Sequence, residues 1–92
     1  MIPTVHNNGT AGEVLLDQNT TVLEAVRKAI DALYDAAPNA RDYYQTPGAF
    51  VIAQRVHASR IAALTNVRDQ IAATVEGIQD QIDAKEASRR SR

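Results

Sequence analysis

The side chains with the widest chemical repertoire stand far apart in this sequence. The two histidines are His6 and His57, and the positions one turn after His57 are Arg60 and Ile61 rather than an acid or a second histidine. A helical metal site needs ligands at that spacing, and cysteine is absent, so no metal centre, thiol nucleophile or disulfide is expected. Ser59 and Ser88 have no base nearby in sequence. Asp80 and Asp83 share a helical face, where a solvated acidic surface is a plainer reading than a proton-sharing dyad. Gly9, Gly12, Gly48 and Gly77 are too dispersed to cradle a phosphate. The expectation is therefore no catalytic residue, no cofactor and no enzyme.

Charge adds one qualification. Ten basic and eleven acidic residues leave a formal charge of −1, which excludes a general polycation. Residues 1–48 carry three basic and six acidic groups, and residues 49–92 carry seven and five. The last stretch, 84–92, holds Lys85, Arg89, Arg90 and Arg92. Basic groups there suit the negative end of a helix, with a frayed tail beyond it. The alternative is a phosphate contact by Arg89, Arg90 and Arg92, non-specific because no sequence-reading pattern accompanies it. No apolar run is long enough to span a bilayer, and the start lacks the basic-then-apolar layout of a secretory signal.

Positioning elements come next. The 92 residues allow one small domain. Hydrophobic residues make up 45 %, yet sixteen of them are alanine and there is no tryptophan, a composition suited to helices packed closely side by side. Residues 1–9 read as an extended arm, because Pro3 disfavours helix before it and Asn8-Gly9 is a turn pair. Such an arm is either a loose terminus or a segment that lies on a partner by edge pairing. A first helix is expected over 10–37, opened by the capping-box pair Thr10 and Glu13 and closed by Pro38. Leu16, Leu23, Ile30 and Ala37 recur every seven residues, with Asn19, Val26 and Leu33 between them and Val22, Ala29 and Ala36 widening the stripe. Asn19-Thr20-Thr21 is poor helix interior, so a break is the alternative to one continuous or slightly bent helix.

Residues 38–46 form the connection. Its Tyr43 and Tyr44 either plug the end of a hairpin or form a contact patch for another chain. The second helix is expected over 47–87, with Thr46 as N-cap, Pro47 in the first turn and a basic tail at 88–92. Ile61, Leu64, Ile71, Val75, Ile78 and Ile82 share one face, which His57 and Arg68 also join, flanked early by Ala53, Val56, Ala63 and Val67. Arg68 has three readings: it snorkels, it pairs with an acid of the first helix or of another chain, or it fixes register. Gly77 marks a bend or a close backbone approach. The fold expected is all-α, an antiparallel helical hairpin with an extended N-terminal arm and a longer second helix. At 1.5 Å per residue the helices measure about 40 and about 60 Å, so the shorter leaves two or three final turns of the longer unsupported. The apolar stripe continues through Ile78 and Ile82 into that region. A small isolated core supplies little stability, so the stripe is expected to meet another chain.

The segments HNNGT (6–10) and PNARDYY (38–44), with an Ala/Leu-rich helix between them and a second helix bearing His57 after them, resemble a small family of helical hairpins. Members follow H-x-N-G-T with P-x-x-R-D-Y-Y and are encoded among the head and tail structural genes of tailed bacteriophages. Asn19-Thr20-Thr21 departs from the smoother first helix of that family. The turn lacks the Trp-x-Gly of secreted WXG-type hairpins. The resemblance implies a virion component at the tail, neck or shell, present in multiple copies. Its partners would be copies of the same chain, other virion proteins, or both, with no membrane. The interface residues expected are Ile61, Leu64, Arg68, Ile71, Val75, Ile78, Ile82, Tyr43 and Tyr44. The alternatives are a transient assembly or regulatory protein that docks its hairpin on a partner, and a DNA-contacting accessory acting through the C-terminal arginines.

Overall fold

A computed structural model describes residues 2–4 and 11–90. Two helices form an antiparallel hairpin: α1 is Gly12–Asp35 and the longer α2 is Ala49–Arg90, joined through one turn of 3-10 helix at Ala40–Asp42. The molecule is a rod of 72 × 20 × 16 Å.

α1 opens with the carbonyl of Ala11 accepting from the N–H groups of Val14 and Leu15, at 3.0 and 3.1 Å. Glu13 lies in the first turn, where a carboxylate favours the positive helix end. The expected cap Thr10 lies outside the described residues, as does His6. Asn19-Thr20-Thr21 stays helical because its side chains bond back one turn rather than outward. Asn19 Nδ2 donates to the carbonyl of Leu15 and Thr21 Oγ1 to that of Asp17, both at 2.9 Å. The helix stops at Asp35, short of the expected residue 37. Pro38 disfavours helix at Ala37, and the last turn carries Asp31 and Asp35 with no basic residue, so the negative dipole end meets negative charge.

The connection is accordingly longer than 38–46, running over 36–48. Asn39 Oδ1 accepts from the Arg41 N–H at 3.1 Å and caps the 3-10 turn. The expected cap at Thr46 and first-turn Pro47 are also corrected. Gly48 has φ +81°, a left-handed conformation that a helix cannot contain and glycine adopts readily. Thr46-Pro47-Gly48-Ala49 is a turn with Pro second and Gly third, closed by the Ala49 N–H on the Thr46 carbonyl at 3.1 Å. α2 then runs unbroken to Arg90, so Arg89 lies in its last turn instead of in a tail.

The wide connection sets the register. Ala36 and Pro38 line one cleft with Ala53, Val56 and His57, so the end of α1 lies beside the second turn of α2. That slides α1 towards the far end of α2. Its start, preceded by the arm, therefore reaches the level of residues 77–81. The arm lies on its own chain. Gln81 Nε2 donates to the Pro3 carbonyl at 2.9 Å, and the Ile2 side chain rests on Gly77 so closely that a Cβ there would stand 2.5 Å from it. Gly77 thus marks a close approach. Ile78 beneath this arrangement has 0 % exposure, and Leu23 and Ile30 are the other buried apolar side chains among the described residues. The seam continues as alternating steps of four and three: Leu16, Asn19, Leu23, Val26, Ile30 and Leu33 on α1, and His57, Ile61, Leu64, Arg68, Ile71, Val75, Ile78 and Ile82 on α2. Those not buried are half-buried. The expected flanks Val22, Ala29 and Ala36 on α1 and Val56, Ala63 and Val67 on α2 are instead exposed, since two helices cover only the seam between them.

Candidate interaction surface

The expected interface residues separate into three environments. Ile78 is shut inside a single chain, a correction to its expected role: the arm and the displaced α1 cover a place where α2 was expected to stand alone. Ile61, Leu64, Ile71, Val75 and Ile82 are half-buried in the intramolecular seam. Their role is first to hold the hairpin together. The final turns of α2, from residue 83 onward, do stand largely exposed, but they carry alanine and charge instead of the isoleucines.

The two tyrosines part company. Tyr43 stacks on Phe50 with ring centroids 6.1 Å apart and the planes 22° from parallel, closing the connection onto the start of α2. Tyr44 points away, 77 % exposed, its hydroxyl accepting from Gln45 Nε2 at 3.0 Å. The plug reading therefore holds for Tyr43, while Tyr44 stands clear of the fold. Arg68 sits in the seam by position but carries its charge outward to its own neighbour. Its guanidinium meets Asp69 Oδ1 at 3.1 Å, with side chains 37 % and 65 % exposed. Of the three readings, snorkelling fits this geometry, and the acid it meets is on its own helix.

Beside Tyr43 lies an open cleft of about 310 Å³, lined by Ala36, Pro38, Tyr43, Ala53, Val56, His57 and Arg60. His57 Nε2 is buried there with no hydrogen-bond partner. A buried ring nitrogen without a partner carries a desolvation cost, so this end of the hairpin is less finished than the other. Asp83 accepts from Gln79 Nε2 at 2.9 Å, a surface contact one turn apart rather than a dyad with Asp80. Among the described residues no three metal-ligating side chains gather, and no helix is long and apolar enough to cross a membrane. Arg89 and Arg90 are exposed, and Arg92 lies outside the described residues.

An exposed apolar group on α2 is only partly legible in the sequence, where Val56 and Val67 read as a flank of the seam and Val51 and Ile52 stand in no stripe. Val51, Ile52, Val56 and Val67 are all at least 40 % exposed, Ile52 reaching 62 %. Ile52 and Ala63 stand exposed away from the seam that α1 covers, and Val56 bridges to them from the edge of the cleft beside Ala36 and Pro38. The signal was available as a second series of three- and four-residue steps: 52, 56, 59, 63, 66, 70, 73, 77, 80, 84 and 87. It was hard to see because alanine, serine and glycine fill most of it. Compared with known proteins, the chain matches no family model, no curated protein and no solved structure.

Proposed function

We propose that the chain is a non-enzymatic structural subunit of a tailed-phage particle, working by helix packing in a multi-copy assembly at the tail, neck or shell. The supporting observation is the amount of surface the fold leaves open. A compact chain of this mass exposes roughly 5,200 Å², whereas this one exposes 6911 Å². Its radius of gyration is 20.1 Å, against about 12 Å for a compact domain of this length. Three buried apolar side chains among the described residues are a thin core for so long a rod. A partner that covers the exposed face adds the burial that the hairpin alone lacks. The phage setting rests on the likeness of HNNGT and PNARDYY to the virion-encoded hairpins.

Quantitative mass spectrometry of purified particles tests the proposal. Several copies per particle is the expected result. Absence from finished particles, with presence on assembly intermediates, would replace it with the transient docking reading. The exposed Arg89 and Arg90 give the DNA-contact reading its own measurement. Deleting residues 89–92 would then lower DNA retention, and the loss would depend on salt.

A further inference from the structure

Charge along α2 has a direction. Residues 49–68 contain Arg55, Arg60 and Arg68 and no acid, whereas residues 69–84 contain Asp69, Glu76, Asp80 and Asp83 and no Lys or Arg. The change of sign falls at residues 68 and 69, and α2 runs from Ala49 to Arg90, so its midpoint is at the same place. Apart from Arg68 with Asp69, these charges are not used in ion pairs: among the described residues Arg55, Arg60, Glu76 and Asp80 form none. A single helix has no evident use for such a division, but an antiparallel pair of identical helices does. The basic stretch 55–68 then lies along the acidic stretch 69–83 of the other copy, short of the basic end at Lys85, Arg89 and Arg90.

We infer that α2 docks its outward face on α2 of a second copy, antiparallel, about a two-fold axis beside Asp69. The inference rests on the assembly reading and names the first partner, a second copy of this chain. α1 occupies the opposite side of α2, so both contacts form at once. With the axis at 69, Arg55 comes level with Asp83 of the other copy, and both lie on the same edge of the outward face. Exposed Ile52 and Val56 meet the far half of the partner helix around Ala84 and Asp80. Exposed Ile2, seated on Gly77, comes level with Ile61, between the small outward residues Ser59 and Ala63, where there is room for it. Asn66 and Gln70 lie near the axis, where polar residues fix register, and Asp69, on the same edge as Arg55 and Asp83, meets its own copy there with each carboxylate held by its own Arg68 at 3.1 Å. The surface this chain exposes beyond a compact fold, roughly 1,700 Å² by mass scaling, exceeds the ~800 Å² that each partner contributes to a standard interface.

Sedimentation equilibrium of the full chain across dilution, at low and high salt, tests this with charge swaps. The wild type should form a dimer that salt weakens. Arg55→Asp and Asp83→Arg should each weaken dimerisation about tenfold, because each puts like charges opposite one another twice in a two-fold dimer. The double variant should recover most of the loss. Both positions are exposed, and circular dichroism should show unchanged helicity for all three variants. A chain that stays monomeric at millimolar concentration overturns the inference, as does a dimer indifferent to both swaps or a double variant no better than the singles. A monomer that is nonetheless present in purified particles would overturn the self-pairing and leave the structural reading standing.

Discussion

The two ends of the hairpin are built from similar residues but finished differently. At the far end three segments converge: the start of α1, the middle of the second half of α2, and the arm. Ile78 there is completely enclosed, and Gln81 holds the arm through the Pro3 carbonyl. At the connection end two helices and a loop meet, leaving an open cleft, an unpartnered His57 Nε2, and exposed Ile52, Val56 and Tyr44. The difference shows what closes a core in so thin a molecule. Two helices bury Leu23 and Ile30 to 5 % exposure along the seam, and Ile78, with the arm packed beside it, reaches 0 %.

The largest effect expected from this contrast is at Ile78. Replacing it with Ala removes the best-enclosed side chain and should cost about 3 kcal/mol, within the usual range for large-to-small core changes. For a core this small that is most of the stability. Thermal melting of Ile78→Ala should show a broad transition displaced far below that of the wild type. A melt within a few degrees of the wild type would mean that the far end does not hold the hairpin together. Val67→Ala, exposed on the same helix, is the matched control and should move stability by less than about 0.5 kcal/mol.

The connection end supplies the next two tests. Tyr43→Ala removes the ring stacked on Phe50 and should cost about 1–2 kcal/mol, whereas Tyr44→Ala should be neutral within about 0.5 kcal/mol. Equal losses in denaturant titrations would contradict the inward and outward placement of the pair. His57→Leu should act in the opposite direction. It replaces a buried nitrogen that has no partner by an apolar group of similar size, and a gain of about 1 kcal/mol is expected. A loss of that size would mean that Nε2 has a partner in solution.

Much of this was legible in the sequence, and the reasons are specific. The helical type of both elements, their unequal lengths and the seam positions from 16 to 33 and from 57 to 82 follow from spacing alone, because a four-three repeat leaves little choice of face. The continuity of α1 through Asn19-Thr20-Thr21 also followed from the seam staying in phase. The start of α2 did not. Thr46-Pro47 carries the local signature of a helix opening, and the same two residues equally suit a turn once Gly48 follows them. Register was illegible for a related reason, since a few residues of loop shift α1 along α2 by turns. That shift decided whether Ile78 was core or contact. Among the candidate interface residues, the half-buried seam was read correctly as a face. Of the outward series, Val56 and Ala63 read only as a flank of the seam and Ile52 not at all, because small residues give the series a weak periodic signal.

The smallest change in stability, and the finest test of the contrast, is at Gly77. A Cβ on residue 77 would stand 2.5 Å from Ile2, so Gly77→Ala should lift the arm from α2. The same substitution improves helix propensity by about 1 kcal/mol. The two effects oppose, and net stability should stay within about 1 kcal/mol of the wild type. The arm itself should respond strongly, with faster proteolytic cleavage at the N-terminus and a shifted Ile2 methyl resonance. Ile2→Ala loses the contact with no helical gain and should be less stable than the wild type by about 1 kcal/mol. Adding Ile2→Ala to Gly77→Ala should then change little, because the contact is already gone and the two substitutions are not independent. Additive losses in that double variant would mean that Ile2 contributes to stability somewhere other than on Gly77, and that the far end is closed by α1 without the arm.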